Sequence, residues 1–156
     1  MKNYKLIISY DGTNFHGFQI QKDKTTVQGE FQKALEIFTE KYELNYSGRT
    51  DSGVHAKAQV INIKTELAIN YKTINSLNKI LGSKISINSF KTVKDSFHAR
   101  YDAFERTYKY FVSDINQQYP YLGSQSYIYP KKLDLKKLNY MACLLYTSPS
   151  PRDATL

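Results

Sequence analysis

The chain has 156 residues, which is the usual length of one domain and enough to bury a core. Its 22 Lys and Arg against 14 Asp and Glu leave a formal net charge of +8, which favours an anionic partner such as a nucleic acid. On charge alone, a basic soluble protein without such a partner is an equal alternative. The single cysteine excludes an intramolecular disulfide. No run approaches the ~18 apolar residues of a membrane span and the first ten residues lack a signal-peptide pattern, so we expect a cytoplasmic protein.

The chain opens with a strand followed by an unusually rich loop. Residues Tyr4 to Tyr10 are dominated by β-forming side chains and predict a largely buried strand. The following stretch, from Asp11 to Gln19, has the glycines and asparagine of a turn but also two phenylalanines, a histidine and a glutamine. A mere connection does not need these side chains, so this loop is a candidate functional segment.

Two helices are predicted in the first half of the chain. A capping box from Thr25 to Gln28 and apolar residues at helical spacing predict a first helix that runs to about Lys41. For the second helix, over residues 71–81, Asn70 supplies the N-cap and Gly82 the end. Both apolar stripes are typical of core-facing helices, and a strand is predicted after the second helix, over residues 85–93.

The most distinctive stretch runs from Ser47 to Ala56, with sequence Ser-Gly-Arg-Thr-Asp-Ser-Gly-Val-His-Ala. It lies between strand-like runs at residues 44–46 and 58–65, so a scaffold would hold it. Asp51 is displayed between two glycines, and we interpret it as the candidate chemical group. Asp-Ser-Gly by itself is common turn chemistry, so an ordinary turn is the alternative.

A third distinctive segment begins at Phe97-His98-Ala99-Arg100. Residues 105–114 after it predict a strand, in which Arg106, Tyr108, Tyr110 and Val112 share one face because strand side chains alternate. Such a face could reach a loop carboxylate. Simple cross-strand packing is the alternative.

The end of the chain reads differently from the rest. A Pro- and Tyr-rich connection over residues 119–130 precedes a last amphipathic helix that Asp134 can cap. From about Leu144 the serines and prolines stop any regular pattern. We therefore expect residues 1–142 to be native domain and residues 143–156 to be a non-native tail.

Three motifs together resemble the TruA-type tRNA pseudouridine synthases. The stretch around Asp51 is similar to the family loop Gly-Arg-Thr-Asp-x-Gly-Val-His, and residues 10–19 match its Tyr-Asp-Gly-x-x-Phe/Tyr-x-Gly-Trp/Phe-Gln pattern. The third match consists of Phe-His-Ala-Arg followed by Arg-x-Tyr-x-Tyr, at residues 97–100 and 106–110. The resemblance covers residues 1–142, which correspond to the N-terminal part of the family's catalytic domain.

The resemblance implies an α+β fold, with an antiparallel sheet and helices packed on one face, the ferredoxin-like half of a pseudouridine synthase. It implies isomerisation of uridine in the anticodon stem-loop of tRNA, a homodimer when full length, and no cofactor or metal. By the same resemblance Asp51 is the nucleophile, Arg49 helps to extrude the target nucleotide, and Tyr108 stacks on its base and assists proton transfer. Contact with RNA, or support of the site, is expected for Arg100, Arg106, His55, Phe18 and Gln19.

Two alternatives to an active enzyme remain. The chain lacks the later half in which the family supplies a basic partner for the aspartate and an apolar residue under the base, so it could be a catalytically incomplete tRNA-binding fragment. Asp51-Ser52-Gly53 also matches the turn of dimeric aspartic proteases. Against the protease stand the small or polar residues Gly48, Arg49 and Thr50, where such enzymes place apolar side chains.

Overall fold

The computed structural model describes residues 1–114 and 119–147, which form two compact units, Met1–Thr107 and the residues from Tyr108 onward. The first unit contains four strands, two α-helices and a short 3-10 helix at Gly12–Asn14. Their bounds are β1 Lys2–Tyr10, α1 Val27–Glu36, β2 Tyr42–Tyr46, β3 Ala56–Thr65, α2 Tyr71–Leu81 and β4 Ile85–Val93.

The strands of the first unit form one antiparallel sheet in the order β2-β3-β1-β4. On β1, buried side chains alternate with half-buried ones, as expected for a strand with one face on a core. Leu6 is opposite Ile61, and both belong to a core cluster that also includes Phe31 of α1 and Leu77 of α2. The α+β fold with helices on one face of an antiparallel sheet is therefore confirmed.

The second helix has the predicted bounds, because its end signals are local. The Asn70 side chain accepts from the Thr73 N–H, and Gly82 has a φ of +66°, in the left-handed region that favours glycine.

The first helix differs from its prediction at both ends. Its cap is Thr26, not Thr25, because the Thr26 hydroxyl accepts from the Gly29 N–H. It ends at Glu36 rather than at Lys41. The N–H groups of Phe38 and Thr39 both donate to the Leu35 carbonyl, which closes the helix, and Tyr42 already pairs with β3. Pairing within the sheet thus overrides the helical pattern.

The second unit contains β5, β6 and α3. Their bounds are β5 Phe111–Asp114, β6 Ser126–Tyr129 and α3 Leu135–Thr147. The predicted strand over residues 105–114 is wrong for 105–110: among the described residues no strand pairs with them, and only β5 pairs, in parallel, with β6. β6 also lies in the stretch predicted as a connection.

At the end of the described chain, the Asp134 carboxylate accepts from the Lys137 N–H, which confirms the predicted helix start. α3 continues to Thr147, past the point where the sequence pattern stops. The rest of the predicted tail, residues 148–156, lies outside the described residues. Within the described part of the chain, no helix combines the length and apolar character that crossing a membrane requires.

Candidate active site

The loop that bears Asp51 connects β2 to β3, so its two ends are fixed in neighbouring strands of the sheet. The loop that follows β1 lies directly against it. Phe18 N–H donates to the Thr50 carbonyl at 2.9 Å, and Gly53 N–H donates to the Phe15 carbonyl at 3.2 Å. The Ser52 hydroxyl donates to the same Phe15 carbonyl. The two motif loops identified in the sequence are thus joined by hydrogen bonds on both sides of Asp51.

Two glycines allow this close approach. A Cβ on Gly12 would lie 2.1 Å from the carbonyl oxygen of Val54, so only glycine fits between the loops. Gly17 has a φ of +92°, and a Cβ there would lie 2.8 Å from the Thr50 carbonyl oxygen. The glycines of the first motif are therefore required by the backbone of the second.

Aromatic side chains support the loops from the core. The Phe18 ring lies 4.7 Å from that of Tyr46 and 6.1 Å from that of Tyr10, between centroids. Phe18 is only 2% exposed. Its side chain packs beneath the loops and also contributes to the lining of the open depression beside Asp51, so its contact with RNA stays a prediction.

Asp51 is exposed and lies on the rim of an open depression of about 440 Å³. Arg49 and Gln19, two other predicted site residues, line the same depression. So does Lys24, which the sequence reasoning missed because a lysine in a polar loop gives no distinctive signal. The first unit therefore brings the candidate carboxylate together with two cations and with the amides of Gln19 and Gln21. A smaller recess of about 130 Å³ lies elsewhere, beside Ile37 and Ile80.

His55 lies behind the loop, where its Nδ1 is 3.1 Å from the Asp11 carboxylate and 3.3 Å from the Gly12 amide nitrogen. A protonated Nδ1 donates to Asp11, whereas an unprotonated one accepts from Gly12, so the two contacts belong to different proton placements. Hydrogen bonds from Thr13 hold the pKa of the Asp11 carboxyl below its usual value, and His55 adds a smaller effect in the same direction. The His55 imidazole therefore contacts the loop that follows β1.

Arg106 and Arg100 adjoin the entrance of the loop. The Arg106 guanidinium donates to the Ser47 carbonyl from Nε at 3.1 Å and from Nη2 at 2.8 Å, and Nη2 also donates to the Arg100 carbonyl at 3.2 Å. Gln59 donates to the carbonyl of the next residue, Gly48. Arg106 thus binds backbone of the loop, while the Arg100 side chain is exposed. Tyr108 belongs to the second unit, where it is 64% exposed, and its stacking role stays a prediction.

The sequence matches the family described as tRNA pseudouridine synthase over residues 6–102. The tRNA pseudouridine synthase A of Borrelia garinii is 43% identical over 150 residues, that of Borrelia turicatae 40% over 147, and that of Borreliella burgdorferi 43% over 148. These alignments cover 91 to 93% of this chain and 59 to 60% of each relative, so the chain spans about 60% of their length. The matched region contains both motif loops, including the candidate carboxylate of Asp51 in the second loop. The chain belongs to the tRNA pseudouridine synthase family.

Proposed function

We propose that this chain is the N-terminal part of a TruA-type enzyme that isomerises uridine to pseudouridine in the anticodon stem-loop of tRNA, with Asp51 as the nucleophile. The main support is that Asp51 is exposed on a loop whose backbone is fixed on both sides by the loop after β1. A carboxylate held in this way can meet a substrate without first being ordered, which favours catalysis.

The reaction breaks the bond between ribose C1′ and uracil N1 and forms a bond between C1′ and C5. N1 gains a proton, C5 loses one, and there is no net oxidation or reduction. A carboxylate can form the covalent intermediate and leave again, as carboxylates do in glycosidases, and it can attack either the sugar or the base. Asp51 is proposed for this step because its side chain is open to a ligand.

The target atoms of a stacked uridine are hidden, so the nucleotide must first be turned out of the RNA, at an expense of a few kcal/mol. Arg49 lines the depression next to Asp51. We propose that its side chain fills the gap left in the RNA when the target nucleotide is extruded. Stacking of the base on Tyr108 would return about 1–3 kcal/mol.

Lys24 and Arg49 place two positive charges at the depression, in a chain with a formal net charge of +8. Such cations bind phosphates without reading base sequence. Affinity for tRNA should therefore fall with salt, with a logarithmic slope of about 0.7 to 0.9 per neutralised phosphate. We extend the proposal to a homodimer for the full-length enzyme and to a cytoplasmic location, in line with the resemblance.

A second candidate function follows from the length comparison. Because the chain spans about 60% of its relatives, it can bind tRNA as a catalytically incomplete fragment. Both candidates predict salt-sensitive binding of tRNA, and only the first predicts turnover.

The deciding experiment measures tritium release from C5-labelled uridine in an unmodified tRNA transcript. The chain is compared with Asp51→Ala, Asp51→Asn and the control Asp23→Asn. Asp23 is an exposed aspartate with a φ of 58°, a conformation that asparagine tolerates, so this control removes one negative charge without backbone strain. Release that is lost in both Asp51 variants and kept in Asp23→Asn supports the nucleophile. Release that persists in Asp51→Ala contradicts it, and no release with tRNA still bound supports the fragment.

A further inference from the structure

A small aromatic surface lies outside the depression, in the turn that follows β4. The imidazole of His98 and the ring of Tyr101 are in tilted contact, with centroids 4.3 Å apart and planes inclined by 35°. The Arg100 guanidinium lies 6.0 Å from the Tyr101 centroid. We call His98, Arg100 and Tyr101 the aromatic platform. Tyr101 is 76% exposed, so most of its ring is free for a further contact.

The platform is held by its own turn. The His98 N–H donates to the Asp102 carboxylate at 2.8 Å, and the Asp102 N–H donates back to the His98 carbonyl at 2.9 Å. The Arg100 N–H donates to His98 Nδ1 at 3.2 Å, which holds the imidazole against its own turn. The backbone that carries the exposed ring is therefore ordered before a ligand binds, so the conformational entropy lost on binding is limited to the side chain.

The turn is also anchored in the sheet. Ala99 is buried, and its N–H donates to the side-chain oxygen of Asn62 at 2.9 Å. Asn62 in turn donates to the side chain of Asn3, which donates to the Phe97 carbonyl at 2.8 Å. Two buried asparagines thus anchor the segment that carries the histidine, the arginine and the tyrosine of the platform.

The platform adjoins the loop of the candidate nucleophile. The same Arg106 nitrogen bonds the carbonyls of Ser47 and Arg100, so these two oxygens lie within about 6 Å of each other. The turn that carries the platform therefore lies beside the first residue of the Asp51 loop, within the same compact unit.

We propose that the aromatic platform is a second nucleobase-binding subsite, which takes an unstacked base of the RNA beside the nucleotide presented to Asp51. The proposal rests on the proposed function for the identity of the RNA. Unpaired bases stack on tyrosine, histidine and arginine planes, and this platform presents all three. A base stacked on Tyr101 covers an aromatic surface that otherwise remains in water.

The test compares Tyr101 with a second exposed tyrosine. Tyr71 is 79% exposed on α2, and its ring packs edge-on against Phe90, so it is a matched position in another part of the first unit. Binding of a fluorescein-labelled tRNA transcript to the full chain is followed by anisotropy at several salt concentrations. The variants are Tyr101→Ala, Tyr101→Phe, Tyr101→Leu and Tyr71→Ala, each checked for folding by circular dichroism.

For Tyr101→Ala we expect about 5- to 150-fold weaker binding, which corresponds to one lost base stack. The salt slope should stay the same, because stacking neutralises no phosphate. Tyr101→Phe keeps the ring and should bind within about twofold of the parent chain, as should Tyr71→Ala, whereas Tyr101→Leu should resemble Tyr101→Ala.

Three results would overturn the subsite. One is equal binding by Tyr101→Ala and Tyr71→Ala, and another is full binding by Tyr101→Leu. The third is a Tyr101→Ala variant that binds RNA normally but loses self-association in sedimentation, which would make the platform a protein contact.

Tritium release measured in parallel distinguishes the subsite from the proposed activity. A binding defect in Tyr101→Ala without turnover by any variant supports the subsite and contradicts an active fragment. Failure of the parent chain to bind tRNA would contradict both.

Discussion

The Tyr10 hydroxyl lies 2.8 Å from the Thr50 hydroxyl, which links the last residue of β1 to the residue directly before the candidate nucleophile. Tyr10 is buried, and its ring packs against Phe18. The position of Asp51 therefore depends on a hydrogen bond between the core and the loop, as well as on the backbone contacts around it.

Removal of this hydrogen bond should destabilise the chain. We expect Tyr10→Phe, which keeps the ring packing, to lower the free energy of unfolding by about 1 kcal/mol in urea titrations. Thr50→Val removes the other hydroxyl. If the two groups bond each other, the double variant should lose less than the two single losses together, by about 0.5–1.5 kcal/mol. Strictly additive losses would contradict the bond.

The same tyrosine predicts a pH dependence at alkaline pH. Burial raises the pKa of the Tyr10 hydroxyl, although the Thr50 hydrogen bond partly offsets this effect. In the unfolded chain the phenol ionises near pH 10, while the folded chain still holds its proton, so stability falls as the pH rises from there through the folded pKa. Urea midpoints of the parent chain should decline over this interval more steeply than those of Tyr10→Phe. Equal declines would count against the assignment.

Gly12 and Gly48 allow a controlled test of how closely the two loops must approach each other. In Gly12→Ala the new methyl group would meet the Val54 backbone at 2.1 Å, whereas in Gly48→Ala the nearest atom is Nε of Arg106 at 3.5 Å, an ordinary contact. We expect Gly12→Ala to separate the two loops, to lower the melting temperature by several degrees and to lose any turnover. Gly48→Ala should change the melting temperature much less. Equal effects of the two substitutions would show that the loops can move apart freely.

Asn62 should be far less tolerant than another asparagine of the same sheet. Asn62→Leu leaves the Ala99 N–H and the Asn3 side-chain oxygen buried without their partner. We expect a loss of about 1–3 kcal/mol in the free energy of unfolding for each such group. The control is Asn88→Ala, since Asn88 is exposed and bonds only the Ser9 hydroxyl among the contacts described. Similar losses in both variants would contradict the anchoring role of Asn62.

Arg106 is predicted to position the loop rather than to bind phosphate. Arg106→Lys keeps the charge but cannot reproduce the three-bond contact with the Ser47 and Arg100 carbonyls. We expect faster amide hydrogen exchange at residues 49–53 and unchanged tRNA affinity. Lys24→Gln removes a cation that lines the depression. This variant should bind tRNA more weakly and leave amide exchange at residues 49–53 unchanged. A reduced salt slope in an Arg106→Gln variant would instead support direct contact with phosphate.

The sequence predicted the bounds of an element well where residues at both of its ends supply local start and stop signals. α2 has an asparagine cap and a terminal glycine, and its bounds follow from them. The end of α1 and the start of β5 depend instead on pairing partners distant in the sequence. The pattern of residues 105–110 satisfies strand alternation, but alternation alone supplies no neighbour to bond with.

The sequence also identified the Asp51 loop, because its residues are unusual together. The sequence could not show which side chains of the first motif are buried. Phe15 and Phe18 are both buried, while the exposed Gln19 beside them lines the depression. The role of Arg106 was equally hidden, since its partner Ser47 is fifty-nine residues away in the chain. Such contacts arise from the tertiary structure and leave no local pattern.

The hydrogen bonds that fix the Asp51 loop have a consequence for the order of folding. Their partners lie at residues 10–18, 59–60 and 106, all within the first compact unit. During translation, domains form as units from the N-terminus onward. We therefore expect the candidate nucleophile to reach its place on the ribosome soon after residue 107 leaves the exit tunnel, while the later segments are still being made.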